Sequence, residues 1–142
     1  ALSFLANTKI SKILIPKSVG LCDVATFKNC VNLTSIVFED GGDVPLYVGG
    51  DLWLENTQVT ILVLPFKTYR IRGYWRRGSN LNTLYVKSTI PPILEHGWGD
   101  NPDTCDLYVP IGCKEVYASA TNWGSFRTIT EYDFDLNPNN VH

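Results

Sequence analysis

The sequence predicts a solenoid, in which short β-strands from successive repeats stack side by side into one parallel sheet. Two columns of residues carry this prediction, one aliphatic and one aromatic. In both columns the successive members are 23, 26, 22 and 23 residues apart. Relative to a repeat of 23 residues, both columns contain the same three-residue insertion and the same one-residue deletion. Chance does not explain this agreement. Repeats of this length that stay in phase are typical of a solenoid.

The aliphatic column marks the strands. Each segment reads apolar (threonine in the last), two variable, apolar, variable, apolar, and a period of two places the last two apolar residues on one side of a strand. One strand cannot bury that side alone, whereas strands stacked roughly 4.8 Å apart join these residues into one core. The predicted inward pairs are Ile13/Ile15, Ile36/Phe38, Leu62/Leu64, Leu84/Val86 and Leu107/Val109.

The aromatic column marks the wall opposite the strands, which closes each coil. We expect the return segments, which lead from one strand to the next and carry this column, to be irregular, β-hairpin or short-helix structure. A glycine-rich insertion, residues 39–51, predicts a hairpin with Tyr47 and Val48 in a small strand. The members of the aromatic column are Phe4, Phe27, Trp53, Trp75 and Trp98.

A C-terminal cap is predicted, because the last coil of a solenoid otherwise exposes an apolar cross-section to water. Val116, Tyr117 and Ala120 fall on one face of a short predicted helix. Further bulk to cover the last coil comes from Trp123, Phe126 and Ile129.

The chain, 142 residues long, is expected to form one domain with a buried core. Residue 1 falls inside a repeat, so we expect further N-terminal repeats in a longer parent chain. The solenoid covers residues 1–132, with a partial repeat at 1–9, repeats at 10–32, 33–58, 59–80 and 81–103, and the cap at 104–132; a polar tail follows at 133–142.

Two stretches of the chain resemble a known family. "ATFKNCVNLTSI", with Phe27 and Cys30, is similar to the repeats of the BspA-like bacterial surface leucine-rich repeat proteins. Thr26 departs from the pattern by separating Ala25 from Phe27, and the later coils carry tryptophan and lack the cysteine. The ending "LYVPIGCKEVYASATNWGSFRTITEY", residues 107–132, is similar to the segment that follows the last repeat in many members.

The resemblance implies a right-handed leucine-rich repeat solenoid of the α/β-type class, whose short parallel strands form one concave sheet. It also implies an exported protein, at the bacterial cell surface or secreted, with the export signal or anchor outside these residues. The implied role is a non-enzymatic recognition or adhesion module that binds a protein or a glycan. A structural spacer that presents another domain of a longer surface protein is the alternative.

The outward residues of the strands form the candidate concave binding face. Extended concave surfaces of solenoids commonly bind partners, and tyrosine offers a rigid amphipathic contact surface. The opposing interpretation is that β-branched and aromatic residues simply favour strands. The candidate residues are Leu14, Val37, Val63, Tyr85 and Tyr108.

The stretch "FKTYRIRGYWRRG" is a candidate secondary basic face, through Arg70, Arg72, Arg76 and Arg77. Basic and aromatic residues together can bind single-stranded nucleic acid, but this requires exposed rings. Trp75 belongs to the core column, so a solvated face is expected here and nucleic acid is not an expected partner. A net charge of −2 agrees with this expectation.

Catalysis is not expected. His96 and His142 are the only histidines, and the nucleophile-elbow, P-loop and dinucleotide-binding glycine motifs are missing. EF-hand spacing is also missing, so we expect no catalytic residue, no cofactor and no metal ion. No apolar run approaches the roughly 18 residues of a membrane helix, so direct membrane insertion is not expected.

The four cysteines form two pairs, Cys22/Cys30 and Cys105/Cys113, each with seven intervening residues. Paired zinc ligands are typically separated by only about two to four residues. Buried thiols and two local disulfides both remain compatible with the sequence.

Overall fold

Parallel strands from successive coils stack side by side in a β-solenoid of about five turns, which confirms the predicted solenoid. This computed structural model describes residues 5–22, 26–51, 53–75, 78–99 and 102–136. The strands and the α-helix, in chain order, are β1 (Lys12–Ile15), β2 (Leu21–Cys22), β3 (Ser35–Phe38), β4 (Leu46–Gly49), β5 (Ile61–Leu64), β6 (Thr68–Arg72), β7 (Thr83–Val86), β8 (Ile93–Glu95), β9 (Asp106–Pro110), α1 (Lys114–Ser119) and β10 (Thr128–Tyr132).

The first wall of the solenoid has the predicted strands in the predicted register. Ile13 pairs with Ile36 between β1 and β3, and Leu84 pairs with both Leu62 and Leu107 in the later coils. Apart from Ile13, which is partly buried, the predicted inward residues are at most 5% exposed. The two-residue alternation of the sequence therefore identifies the core side of this wall correctly.

The return segments form a second parallel sheet, in the order β2, β4, β6 and β8, where the sequence predicted less regular structure. Tyr47 and Val48 lie in a short strand, as predicted, but the predicted hairpin within residues 39–51 is wrong, because β4 pairs in parallel with β2 of the coil before and β6 of the coil after. Leu46 and Val48 of β4 are fully buried. Pairing with both neighbouring coils gives the backbone groups beside these side chains their hydrogen-bond partners.

The aromatic column is a continuous ladder in the core. The ring centroids of Phe27 and Trp53, Trp53 and Trp75, and Trp75 and Trp98 are 5.5, 5.2 and 5.4 Å apart. Trp123 of the cap adds a further ring, 5.0 Å from Trp98. The first predicted member, Phe4, lies outside the described residues.

Asparagines turn the chain in three successive coils and bond to each other. Asn7, Asn29 and Asn56 have φ of 64°, 58° and 60°, a left-handed conformation that asparagine tolerates better than most residues. The side-chain amide of Asn56 donates to Asn29 (3.2 Å), and that of Asn29 donates to Asn7 (3.1 Å). These turns stack in register with the coils.

The cap contains α1 and a strand that the sequence analysis missed. Tyr117 of α1 is fully buried and Trp123 and Phe126 are nearly so, as predicted, but Val116 is 45% exposed. Val116 and Tyr117 are adjacent in α1, so their side chains point about 100° apart and only Tyr117 faces the core. Strand β10 continues the first sheet in parallel with β9, and Ile129 pairs with Leu107.

The first sheet is interrupted between its second and third strands. Strands β1 and β3 form a two-stranded sheet, whereas β5, β7, β9 and β10 form a four-stranded one. The break coincides with the spacing of 26 residues, the longest in the chain, between Ile36 and Leu62. Across the break, the Gln58 amide donates to the Leu33 carbonyl (2.8 Å) just before β5.

Candidate functional site

The predicted concave binding face lies on the outer side of the first sheet, and its residues share one register. Leu14 pairs with Val37, and Val63 pairs with Tyr85, which pairs with Tyr108. Their exposure is uneven, because Leu14 is 57% exposed and Val63 only 6%. The stripe therefore does not present five equally accessible side chains.

The two tyrosines of the stripe pack mainly against other aromatic rings. The rings of Tyr85 and Tyr108 are stacked, with centroids 4.5 Å apart and planes inclined by 15°. Tyr132 meets Tyr85 edge-on at 5.2 Å, and Phe134 lies 6.3 Å from Tyr85. Desolvation and these neighbouring hydroxyls raise the pKa of Tyr85 above its ordinary value. This half of the stripe is consequently an aromatic cluster, with ring faces already engaged.

The described part of the candidate basic face belongs to the outer side of the second sheet. Arg70 donates to the carboxylate of Glu95 at 2.8 Å, and the hydroxyl of Tyr47 also donates to Glu95. The guanidinium groups of Arg70 and Arg72 lie 5.4 and 5.8 Å from the centroid of the Tyr47 ring. The bond from Tyr47, and then Arg70, lower the pKa of Glu95. Ile71 and Trp75 are fully buried, as predicted.

The other two residues of the candidate basic face, Arg76 and Arg77, lie outside the described residues.

A row of exposed apolar side chains follows one corner of the solenoid, where the chain leaves the first sheet. Phe66 follows β5, Ile90 follows β7 and Ile111 follows β9. Their exposed fractions are 67%, 78% and 63%, and Ile93, at the start of β8, is 63% exposed. Large apolar side chains that are exposed together mark interaction surfaces more often than isolated ones do.

Two clefts adjoin this row and share Phe66 and Thr89 in their walls. The first cleft, of about 400 Å³, is bounded by Ile111, Tyr132 and Phe134. The second cleft, of about 380 Å³, is bounded by Tyr69, Ile90, Pro91, Pro92 and Ile93. We call the two clefts, with Phe66 between them, the corner groove.

The first cleft carries the carboxylates of the corner groove. Lys87, Asp133 and Asp135 line it. The ammonium group of Lys87 lies 2.7 Å from the carboxylate of Asp40 and 6.0 Å from the centroid of the Phe134 ring. The wall of the first cleft therefore carries two carboxylates and one ammonium group, which is itself paired with Asp40, and the cleft is acidic on balance.

Sequence reasoning missed the corner groove because it searched for periodic buried positions. Phe66 and Ile111 each lie two residues after the last inward residue of a strand, Leu64 in "LPFK" and Val109 in "VPIG", so their equivalent positions were visible. A large apolar residue directly after proline, outside the inward alternation of the strand, is the signal that could have identified them.

The four cysteines are free thiols, and all are buried, which answers the question that the sequence left open. Within the described residues, no group of three His, Cys, Asp or Glu side chains has a metal-binding arrangement. No helix in the described part of the chain is long and apolar enough to span a membrane.

No protein-family model matches this sequence, and no curated protein matches it.

Proposed function

We propose that this chain is a non-enzymatic recognition module that binds a protein partner through the corner groove. The observation that carries the proposal is the row of Phe66, Ile90 and Ile111, each more than 60% exposed at the same corner of three successive coils. Burial of one such side chain against a partner would stabilise the complex by about 1.5–3 kcal/mol. While the side chain stays in water, this contribution is not made.

A protein partner fits the corner better than a glycan does. The exposed groups are largely aliphatic, and the faces of Tyr85 and Tyr108 stack on each other, so they do not form an open platform for sugar rings. A rigid solenoid also supplies a surface that needs little ordering on binding, which favours affinity.

The proposed setting is the exported, surface-associated one that the BspA-like leucine-rich repeat resemblance implies. Support comes from the repeat spacing and from the ending at residues 107–132, which folds as a cap over the last coil. In that setting the groove would face partners outside the cell.

The test is an array of purified extracellular-matrix proteins and glycans, probed with the chain and with the double variant Phe66→Ser, Ile90→Ser. We expect a selective protein signal that the double variant lowers at least about tenfold, because it removes two apolar contacts. Both positions are exposed, so the variant should keep the unfolding midpoint of the parent protein within a small margin.

Leu14→Ser is the matched control, because Leu14 is also exposed (57%) but lies on the outer side of the first sheet. If Leu14→Ser abolishes binding and the double variant does not, the site is the sheet face and not the corner. A blank array with folded protein would contradict the proposed recognition role and favour the structural spacer.

A further inference from the structure

We infer that the partner enters the corner groove as an extended peptide segment whose lysine or arginine side chain occupies the first cleft. This inference rests on the proposed function, since it specifies the chemistry of the partner at the same site. Four features of the groove support it: its continuity, its length, its charge and its aromatic wall.

The corner groove offers apolar contacts along the solenoid axis. Phe66, Ile90 and Ile111 belong to consecutive coils, and strands of consecutive coils are about 4.8 Å apart. The row therefore spans on the order of 10 Å. An extended segment rises about 3.3 Å per residue, so three to four residues cross the row with alternate side chains toward it.

The negative charge of the groove is concentrated at one end. Asp133 and Asp135 line the first cleft, and Asp40 pairs with Lys87, which among the described residues is the one lysine in the wall of that cleft. At the other end, the ammonium group of Lys67 donates to the carbonyl oxygen of Lys17. A basic side chain is thus complementary to the first cleft, and apolar side chains are complementary to the second.

The aromatic wall of the first cleft is suited to a cation. The ammonium group of Lys87 already lies 6.0 Å from the centroid of Phe134, within the range of a cation–π contact. Tyr132 packs against Phe134 with centroids 5.0 Å apart. The rings and carboxylates together provide the two kinds of group that commonly hold a lysine or arginine side chain.

The experiment is a selection of random decapeptides, displayed on phage, against the immobilised chain, followed by affinity measurements on synthetic peptides. We expect the selected sequences to be enriched in lysine or arginine next to aliphatic or aromatic residues. Their affinity should fall as salt rises, because the acidic end is exposed to solvent. In NMR spectra, the methyl resonances of Ile111 and Thr89 should change their chemical shifts when peptide is added.

The matched variants are Asp135→Lys and Asp43→Lys. Both replace an exposed carboxylate with an ammonium group, but only Asp135 lines the first cleft. We expect Asp135→Lys to weaken peptide binding at least about fivefold, through a lost attraction and a new repulsion, and Asp43→Lys to have little effect.

The outcomes separate this inference from the proposed function. Peptides that depend on Phe66 but show no basic preference, or that bind Asp135→Lys equally well, would overturn the inference and leave the recognition role intact. If no selected peptide depends on Phe66, the corner groove is not a peptide site and the inference fails, whereas the proposed function is decided separately by the protein array with the Phe66→Ser, Ile90→Ser variant.

Discussion

At the residue scale, the four tryptophans of the core ladder differ in how their indole N–H groups are satisfied. Trp98 donates to the carbonyl of Asn122 (2.7 Å), and Trp123 donates to that of Pro92 (3.0 Å). Among the described residues, Trp53 and Trp75 have no partner for this group, although their side chains are fully buried. All four rings therefore pack in the ladder, but in the described part of the chain only the two nearest the cap, Trp98 and Trp123, also donate a hydrogen bond.

We expect Trp123→Phe to destabilise the protein more than Trp75→Phe does. Both changes lose similar ring area, but Trp123→Phe also leaves the Pro92 carbonyl without its donor, at a cost of about 1–3 kcal/mol. Trp75→Phe instead removes an unpaired polar group from the core. Urea unfolding with an unchanged m-value measures the difference, and equal midpoints for the two variants would contradict it.

A second residue-scale prediction concerns Asp106 at the junction of β9 and β10. Bonds from Arg127 (2.9 and 2.8 Å) and then from Thr128 (2.8 Å) lower the pKa of Asp106 to about 2. This pKa is below the value of about 3.9 in an unfolded chain. The ionised Asp106 therefore makes its full contribution to the free energy of unfolding at pH values above about 3.9. This contribution is lost as the pH falls toward 2.

Asp106→Asn should therefore be less stable than the parent chain at pH 6, and the difference should shrink between pH 4 and pH 2. Thermal unfolding across this range measures it. Asp43→Asn, which leaves the Arg127 ion pair intact, is the control. A stability difference that does not depend on pH would show that the ion pair contributes nothing through titration.

At the scale of elements, the sequence predicted the first sheet well and the second sheet poorly. In the first sheet, each strand repeats the same inward pair, as Leu84 and Val86 do, so the register could be read directly. In the second sheet, outward positions carry Tyr47 or Arg70, and β2 is only two residues long. An inward column does repeat there, but its residue types vary and its strands are short, so it gives a weaker signal than the first sheet. The members of this inward column are Cys22, Val48, Ile71 and Leu94. The sequence shows Phe66 and Ile111 directly after proline, but the exposure that makes the corner groove depends on what lies above these side chains, which the repeat pattern does not give.

Gly73 shows how closely neighbouring coils approach beside the second sheet. A Cβ atom at Gly73 would lie 1.9 Å from the carbonyl oxygen of Glu95 in the next coil. We expect Gly73→Ala to destabilise the protein by about 1–3 kcal/mol, because backbone must move to admit the methyl group. Chemical denaturation measures the loss. Wild-type stability in this variant would mean that β6 and β8 separate without cost.

At the scale of the whole molecule, the solenoid is a row of units that contact mainly their neighbours, so stability need not be uniform along it. We expect the weakest junction at the break between β3 and β5 in the first sheet, where of the two sheets only the second continues from coil to coil. On its N-terminal side, β1 and β3 form a two-stranded sheet, which is marginally stable by itself. On the other side, β7 has a hydrogen-bonded strand on both edges.

We therefore expect native-state hydrogen exchange to be faster in β3 than in β7. Leu33 and Leu81 hold equivalent positions before these strands and are at most 2% exposed, so they form a matched pair. Leu33→Ala, at a cost of about 2–5 kcal/mol, should accelerate exchange of the Glu39 amide, which donates to Ile15, and leave β9 protected. Leu81→Ala should instead accelerate exchange in β5 and β9, the strands on either side of β7, and affect β3 less, because the first sheet is interrupted between β3 and β5. If the two variants accelerate β3 and β9 equally, the solenoid opens as one cooperative unit and the break in the sheet has no energetic consequence.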